Sequence, residues 1–257
     1  MIVDCHTHIK YPSGEVDIAE HLDACEKIDN CVVLAPYSAE GEKVNKTVSE
    51  YARQYEKIVG FAAINPLTSK IAARNVKSTV ADMGLRGAVL YCARDKFHPA
   101  DSRAMRFYEA AEQLHLPVFF HNSAPFESDA ALEYAQPYLL DEVARTFPAL
   151  KIIIGTMGLP FIAQTLCMLN KHENVYADLT ISPQKVWQVY NIVISAHEAE
   201  VMDKLLFGSG YPFSKADTCI ETLLGFNKML SDTHLPQVPR EKIRGIVERD
   251  SLSVLGI

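Results

Sequence analysis

The segment LLFGSGYPF (Leu205–Phe213) is an apolar run that ends in a glycine-rich loop. Because both alternating faces of the run are apolar, it indicates a parallel strand buried between helices rather than a strand with one face in water. Seven earlier runs share this character, and stretches with apolar residues near a 3.6-residue period follow them. The predicted strands are Ile2–His8, Cys31–Ala35, Ile58–Ile64, Arg86–Tyr91, Val118–His121, Lys151–Thr156, Val175–Leu179 and Leu205–Ser209.

Helical stretches alternate with these strands along the whole chain. Eight strand–helix units in order predict an α/β fold, a (β/α)8 TIM barrel that forms a single domain over residues 1–257, with an extra C-terminal helix at Arg240–Leu255. The alternative is a doubly wound open sheet, which usually carries a G-x-G-x-x-G phosphate loop that this sequence lacks. The other predicted helices are Ile18–Lys27, Lys43–Tyr55, Ser69–Met83, Ser102–Leu114, Tyr138–Phe147, Phe161–His172, Pro183–His197 and Thr218–Ser231.

The composition limits the classes of partner. Apolar residues make up 48% of the chain, which is enough for the core of an enzyme-sized domain. The formal net charge is −7 and no basic run occurs, so we expect no nucleic-acid partner. We expect no membrane partner either, because no apolar run reaches the roughly 20 residues that cross a bilayer. The six cysteines show no C-x-x-C spacing and the chain starts with strand-like MIVDCH rather than a signal peptide, which predicts a reduced, cytoplasmic protein. The sequence leaves a homodimer open.

Three histidines fall at the ends of predicted strands, on the same side of the barrel. His6 and His8 lie two residues apart on the first strand, so a period of two places them, with Asp4, on one face. His121 ends the fifth strand. Because buried imidazoles are costly without a partner, and three of them suit a divalent ion such as zinc, we predict a metal site at the mouth of the barrel. The alternative is a His-x-His pair that is hydrogen-bonded within the core.

The other histidines and Asp4 are weaker candidates. His98 lies in the loop after the fourth strand and could border the mouth. Asp4 is predicted either to orient an imidazole or to be a buried polar group near the barrel floor. The histidines predicted at the surface are His21, His115, His172, His197 and His234.

Six segments occur in the order expected of one protein family. They are DCHTH (Asp4–His8), GFAAINP (Gly60–Pro66), LPVFFH (Leu116–His121), FPALKIII (Phe147–Ile154), NVYADLT (Asn174–Thr180) and LLFGSGYPF (Leu205–Phe213). Together they resemble the amidohydrolase-related proteins, the branch of the amidohydrolase superfamily that contains aminocarboxymuconate-semialdehyde decarboxylase. The resemblance runs over essentially the whole chain. It implies a TIM barrel and a metal-dependent hydrolase or decarboxylase that acts on a small organic acid, lactone or amide.

The resemblance also implies a metal site, from which this chain departs at two positions. In that family the metal is held by a strand-1 H-x-H, a strand-5 histidine and a strand-8 aspartate, and a strand-6 histidine positions water or substrate. His6, His8 and His121 match the first three ligands, but Thr156 stands at the strand-6 histidine and Gly210 at the strand-8 aspartate. Glycine supplies neither a ligand nor a proton acceptor, and threonine exchanges no proton near pH 7. We therefore predict an atypical metal site in which three histidines are the only protein ligands, with zinc as the expected ion.

Four further polar residues are candidates at the predicted mouth. Asp178, near the end of the seventh strand, is the best candidate for an acid that replaces the missing aspartate, and its alternative is a hydrogen-bonded structural carboxylate. Tyr91 and Asn122 are predicted to hydrogen-bond a small-molecule substrate, and Arg94 to pair with its carboxylate. Each of these three is otherwise an ordinary loop residue.

Three hypotheses remain open from the sequence. The first is a metal-dependent enzyme, in which the metal activates water or polarises a substrate carboxylate or carbonyl. The second is a catalytically degenerate barrel that binds a small ligand or a partner protein, because Gly210 and Thr156 replace groups whose acid–base help is worth roughly 10²–10⁴ in rate. The third is a metal-free enzyme with His121 or Asp178 as the acid–base group. Three histidines at one mouth favour the first.

Overall fold

The computed structural model describes residues 1–11, 14–15, 17–37, 41–69, 73–122 and 126–257. Eight parallel strands form one sheet, and each strand pairs with the next one along the chain. The strands are β1 (Val3–Thr7), β2 (Asn30–Leu34), β3 (Ile58–Ala63), β4 (Gly87–Leu90), β5 (Val118–Phe120), β6 (Ile152–Ile154), β7 (Val175–Thr180) and β8 (Leu205–Gly208). The predicted TIM barrel is confirmed, and each of these eight strands lies within two residues of its predicted bounds. A short antiparallel pair, Lys10–Tyr11 with Gly14–Glu15, was not predicted.

Helices alternate with the strands, as the 3.6-residue periodicity predicts. They are α1 (Ile18–Ala24), α2 (Gly41–Gln54), α3 (Ala73–Thr79), α4 (Cys92–Asp95), α5 (Ser102–Gln113), α6 (Asp141–Thr146), α7 (Ile162–Lys171), α8 (Val186–Glu198), α9 (Ala216–Leu224), α10 (Arg240–Val247) and α11 (Ser251–Leu255). Within the described ranges, none of the helices combines the length and the apolar character that a membrane span requires.

Several helix predictions differ from the structure: for example, the predicted helix Thr218–Ser231 is α9 followed by a 3₁₀ helix at Phe226–Leu230, and the predicted helix Ser69–Met83 ends at Thr79. The predicted C-terminal helix is two helices, α10 and α11, because the side chain of Asp250 accepts a hydrogen bond from the Ser253 amide (3.1 Å) and starts a new helix. The short helix α4 occupies a connection that was predicted as loop. The predicted helix Ser69–Met83 includes residues 70–72, which lie outside the described residues.

The barrel closes through the loop after β8 rather than through β8 itself. A single parallel bridge joins Thr7 of β1 to Tyr211. The amide of Gly210 donates to the carbonyl of His6 (2.9 Å), and the amide of His8 donates to the carbonyl of Tyr211 (3.0 Å). The seam of the barrel therefore lies at the histidine pair, and it is made by backbone groups.

An irregularity in β1 decides which side chains face the barrel interior. Asp4 pairs with Cys31 of β2 but Thr7 pairs with Val33, so β1 has one extra residue between the two pairs. Such a bulge interrupts the period of two. Asp4 therefore does not share the face of His6 and His8, contrary to the simple alternation. Instead its Oδ1 accepts hydrogen bonds from the amides of His6 (3.1 Å) and Ser209 (2.9 Å), which fixes β1 to the start of the closing loop.

The apolar core has two layers, as a barrel covered by helices requires. The larger layer lies between strands and helices and includes Val33, Ile154 and Val193. The smaller layer fills the barrel and includes Phe61 and Phe119. Because the barrel interior is filled in this way, the functional cavity lies at the carboxyl ends of the strands.

Candidate metal centre

Three imidazoles converge at the mouth of the barrel. His6 lies near the end of β1, His8 just after it, and His121 just after β5. Their ring centroids are 5.1–5.3 Å apart in all three pairs. The Nε2 atom of His8 lies 3.2 Å from Nε2 of His6 and 3.3 Å from Nε2 of His121. The predicted trio is thus one cluster, in which one nitrogen of each ring lies within 4.8 Å of the other two.

Hydrogen bonds on the far side of two rings set this orientation. Nδ1 of His6 donates to Oδ2 of Asp178 (2.6 Å), and Nδ1 of His8 donates to the carbonyl of Leu34 (3.0 Å). A carboxylate and a carbonyl only accept, so the single N–H of each neutral ring lies at Nδ1. The lone pair of each ring is then at Nε2, where a metal ion would be bound.

Burial keeps two of the three rings neutral. It lowers the pKa of His8 to about 3, with the nearby charge of His6 as a second cause. Burial also lowers the pKa of His121 well below its usual range, again with help from the other two histidines. At neutral pH these two imidazoles are therefore unprotonated, which is the form that binds a metal.

The cluster fits a divalent cation on geometric grounds. Two nitrogens bound to one ion at 2.0–2.1 Å lie roughly 2.8–3.4 Å apart for bond angles between octahedral and tetrahedral values. The observed separations of 3.2 and 3.3 Å between Nε2 atoms fall in this range. Without a cation, the lone pairs of His6 and His8 would face each other in a buried site, which is unfavourable.

The β6 and β8 positions supply no ligand side chain. Thr156 lies two residues after the end of β6 with a left-handed backbone (φ 50°), and its hydroxyl lies 3.4 Å from that of Thr180. Gly210 follows β8 with φ 66°, and an added Cβ would lie 2.7 Å from Cγ2 of Thr180. The local backbone is thus adapted to glycine, and the methyl group of Thr180 occupies the space beside it.

Asp178 lies behind His6 rather than in the cavity. It is fully buried. Its Oδ2 accepts hydrogen bonds from the His6 ring, from the amide of Thr156 (3.0 Å) and from the hydroxyl of Thr180 (2.6 Å). Its Oδ1 has no hydrogen-bond partner and lies against Gly208, where an added Cβ would overlap it. The contacts favour an orienting role for this carboxylate, and its role as a catalytic acid stays a prediction.

A cavity of about 360 Å³ opens onto the cluster. The three histidines and Asn122 line it, together with residues that follow β6, β7 and β8. No aspartate or glutamate lines this cavity among the residues that the structure describes. A site built on these groups has donors and neutral acceptors for a ligand, but no carboxylate that could balance the charge of a cation.

The predicted substrate-binding residues differ in how close they lie to the cavity and the histidine cluster. Asn122 borders the cavity while its Nδ2 donates to the carbonyl of Ala135 (2.7 Å). The Tyr91 ring lies 4.8 Å from the His121 ring, and its hydroxyl donates to the carbonyl of Ala35 (2.7 Å). Neither Tyr91 nor Arg94 is among the described residues that line the cavity.

Arg94 is engaged within the loops above the barrel. It forms ion pairs with Glu127 and Asp129, and its guanidinium lies 4.7 Å from the centroid of the Tyr37 ring. His98, which was predicted as a further residue of the mouth, is exposed and accepts a hydrogen bond from the amide of Ala100 (3.0 Å). Substrate binding by Arg94 stays a prediction, since its charge is already paired in this structure.

Two of the histidines predicted at the surface are buried, so that prediction was wrong for them. His21 on α1 is fully buried, with Nδ1 2.8 Å from the hydroxyl of Tyr51. His172 is also buried, with Nε2 2.7 Å from Oδ1 of Asp141. The spacing of four between His21 and the buried Cys25 would have indicated the inner face of α1. The others are exposed or half-buried: His115, His197 and His234.

Several residues of the site were not singled out from the sequence. Thr180 ends β7 and contacts both Asp178 and Nδ1 of His6 (3.0 Å). Lys185 lines the cavity just before α8. Their position after a barrel strand was the available signal, because active-site residues of such barrels come from the carboxyl ends of the strands.

The fold and the site together define a class, a (β/α)8 barrel with a candidate metal centre at the carboxyl ends of its strands. The chain belongs to the amidohydrolase family, since the family model described as Amidohydrolase matches residues 3–245. This match confirms the resemblance found in the sequence motifs.

Three relatives illustrate the similarity. The chain is 23% identical over 245 residues to the gamma-resorcylate decarboxylase of Polaromonas sp. (strain JS666), with 76% of this chain and 70% of that protein covered. It resembles the crystal structure of a probable 2-pyrone-4,6-dicarboxylic acid hydrolase from Acinetobacter baumannii with citric acid bound (TM-score 0.71, 15% identity, 100% and 99% of the two chains). It also resembles a dihydroxybenzoic acid decarboxylase from Polaromonas sp. JS666 with bound manganese and the inhibitor 2-nitroresorcinol (TM-score 0.70, 17% identity, 99% and 96%).

Proposed function

We propose that this protein is a metal-dependent enzyme that decarboxylates a small organic acid, with one divalent cation held by His6, His8 and His121. The observation that carries the proposal is the convergence of the ring nitrogens, 3.2 and 3.3 Å apart, with Nδ1 of two rings fixed by outer partners. A bound divalent cation supplies a Lewis acid that withdraws electron density from a substrate carboxylate or carbonyl.

The residues of this chain support decarboxylation better than hydrolysis. Hydrolysis needs an acceptor for a proton of water, and the described residues that line the cavity include no carboxylate. The pKa values of His8 and His121 are lowered by burial, so these rings are poor proton acceptors. Loss of CO₂ needs no attack by water, but the electron pair left on carbon must take up one proton, which in this proposal comes from solvent or from the proposed acid Asp178. Known decarboxylases among the similar proteins point in the same direction.

In this proposal the chain's own residues bind and orient the substrate acid. Asp178 holds the His6 ring, and Asn122, Thr156 and Thr180 offer polar groups to a ligand in the cavity. The ion is a divalent cation whose identity is open between zinc, which suits imidazole ligands, and manganese, which the similar dihydroxybenzoic acid decarboxylase contains. Tyr91 and Arg94 remain proposed substrate contacts, and Asp178 a proposed acid, subject to direct tests.

Two other functions have specific observations in their favour. Hydrolysis of a lactone or amide is supported by the similarity to the probable 2-pyrone-4,6-dicarboxylic acid hydrolase. A catalytically degenerate barrel that binds a small ligand or a partner protein is supported by Gly210 and Thr156, which leave the β6 and β8 positions without an acid, a base or a ligand side chain.

Metal content and turnover test the proposal together. Protein purified without chelator is titrated with Mn²⁺ and Zn²⁺ by calorimetry, and CO₂ release is measured with a panel of hydroxybenzoates. We expect one ion per chain and turnover, both lost in His6→Ala and His121→Ala and kept in His98→Ala, where an exposed histidine outside the cavity is removed.

Each contrary result selects a different alternative. If no ion binds under any loading condition, the metal-dependent proposal is wrong. If an ion binds and no acid, ester, lactone or amide is turned over, the degenerate barrel is the better description. If lactones are turned over and acids are not, hydrolysis replaces decarboxylation.

A further inference from the structure

One part of the cavity lining consists of hydrogen-bond donors from the segment between β7 and α8. We call Gln184, Lys185 and Gln188 the donor rim; all three line the same cavity as the histidine cluster. Lys185 precedes the first residue of α8 and Gln188 lies one turn further on. Both side chains therefore reach the cavity from the start of α8.

The side chains of the donor rim reach solvent, since Gln184 and Lys185 are exposed and Gln188 is half-buried. In the described part of the chain, none of the three forms a side-chain hydrogen bond or an ion pair with another residue. Some other lysines do so, such as Lys215 with Asp23 (3.4 Å) and Lys204 with the carbonyl of Glu173 (2.7 Å), whereas the exposed Lys242 has no side-chain partner among the described residues. Three adjacent donors without an internal acceptor are thus available to a ligand in the cavity.

The charge balance of the cavity points to the kind of ligand. Lys185 is the only lysine or arginine among the described residues that line it, and no acidic residue lines it. Gly210 has no side chain, so its position contributes no carboxylate that would offset the charge of a bound cation. A dication on neutral imidazoles and a nearby ammonium therefore attract a ligand with more than one negative group.

We propose that the cavity takes a small dicarboxylic acid, with one carboxylate at the histidine cluster and the second on the donor rim. Lys185 pairs with the second carboxylate, and the carboxamides of Gln184 and Gln188 donate to it. This inference rests on the proposed function, because that function places the first carboxylate at the histidines. A cavity of about 360 Å³ has the size of a site for one small molecule.

The specific test compares dicarboxylates with a matched monocarboxylate. Phthalate, isophthalate and terephthalate are titrated against benzoate by calorimetry into the Mn²⁺-loaded protein. We expect at least one dicarboxylate to bind about tenfold more tightly than benzoate. Lys185→Gln should remove this advantage while leaving benzoate affinity unchanged, and Lys185→Arg should restore most of it. Lys242→Gln, at an exposed lysine on α10 that is not part of the cavity lining, serves as the matched control.

The outcomes separate this inference from the proposed function. If the protein binds Mn²⁺ but no dicarboxylate is preferred, or if the preference persists in Lys185→Gln, the donor rim is not an anion site and the proposed function stands. If the preference depends on Lys185 but no acid is decarboxylated, the inference stands and the proposed reaction is wrong. Failure to bind any divalent cation overturns both.

Discussion

The two sides of the barrel mouth contribute to the site in different ways. On the β1 and β5 side, side chains carry the chemistry: the rings of His6 and His8 are each held at Nδ1 and present Nε2. On the β6 to β8 side, no side chain among the described residues presents a ligand atom to the histidine cluster: the Asp178 carboxylate supports the His6 ring from behind, and backbone amides complete the contacts. The amide of Thr156 donates to Asp178, and that of Gly210 to the carbonyl of His6. The loop after β8 thus closes the barrel with backbone groups, a task that needs no carboxylate at position 210.

The largest expected effect tests how tightly the two sides fit together. Gly208→Ala should lower the free energy of unfolding by about 2–3 kcal/mol, because overpacking a tight core site costs this much. The new Cβ would overlap Oδ1 of Asp178 and lie 3.0 Å from Cβ of His6. Gly245→Ala on α10 is the matched control: nothing lies within 4 Å of its added Cβ, so this change should be neutral or stabilising. Chemical denaturation measures both, and equal effects would contradict the close packing at Gly208.

The sequence predicts the two sides of the mouth unequally well. Strands, their order and the trio His6, His8 and His121 follow from apolar periodicity and from the position of histidines at strand ends. The face of Asp4 was mispredicted because a one-residue bulge in β1 breaks the period of two, and nothing in the local composition marks that bulge.

The contacts of Asp178 could not be derived from the sequence either. They join β7 to β1 and β6 across 172 and 22 residues of chain, so they depend on how the closed barrel brings its strands together. Sequence patterns report local periodicity, whereas such contacts between distant segments appear only in the folded structure.

The second largest effect concerns metal affinity and the carboxylate of Asp178, which holds the His6 ring from behind. Asp178→Asn should weaken metal binding about 10- to 100-fold, because a neutral amide supports the imidazole less well than a carboxylate does. Asp4→Asn is the control. Asp4 is an equally buried carboxylate, but it contacts the backbone amides of His6 and Ser209 rather than the ring. Calorimetric titration with Mn²⁺ measures both variants. Equal losses of affinity would show that Asp178 acts only through general stability.

A smaller effect on stability tests whether the backbone and the packing around position 210, after β8, require glycine. Gly210→Asp should destabilise the protein by about 1–2 kcal/mol, since the residue has φ 66° and its Cβ would lie 2.7 Å from Cγ2 of Thr180. Thr180→Ser removes that methyl group and keeps the hydroxyl that bonds Asp178. In a double-mutant cycle the pair should recover about 0.5–1 kcal/mol. Strict additivity of the two changes in the free energy of unfolding would mean that Thr180 does not fill the space beside Gly210.

The smallest effect is a pH dependence confined to the histidine side. Burial lowers the pKa of His8 to about 3, below the usual value of 6.5, so between these values the unfolded state binds more protons than the folded state. The stability that His8 contributes is therefore present above pH 6.5 and is lost as the pH falls towards 3. In chelator-treated protein, the fall in unfolding free energy from pH 7.5 to 5.5 should be smaller in His8→Gln than in the wild type by about 1 kcal/mol.

The contribution of Asp4 to the unfolding free energy changes with pH in the opposite direction to that of His8, over an overlapping pH range. The measurement therefore compares the pH dependence of the wild type with that of a variant. Burial raises the pKa of Asp4 to about 7, so its contribution is present at low pH and is lost as the pH rises from about 4 to 7. Asp4 is retained in both proteins, so its contribution cancels when the wild type is compared with His8→Gln. His98→Gln, which removes an exposed histidine, should keep the wild-type slope. If His8→Gln also keeps it, the His8 ring is not held neutral by burial, and the two sides of the mouth differ less in their electrostatics than the structure indicates.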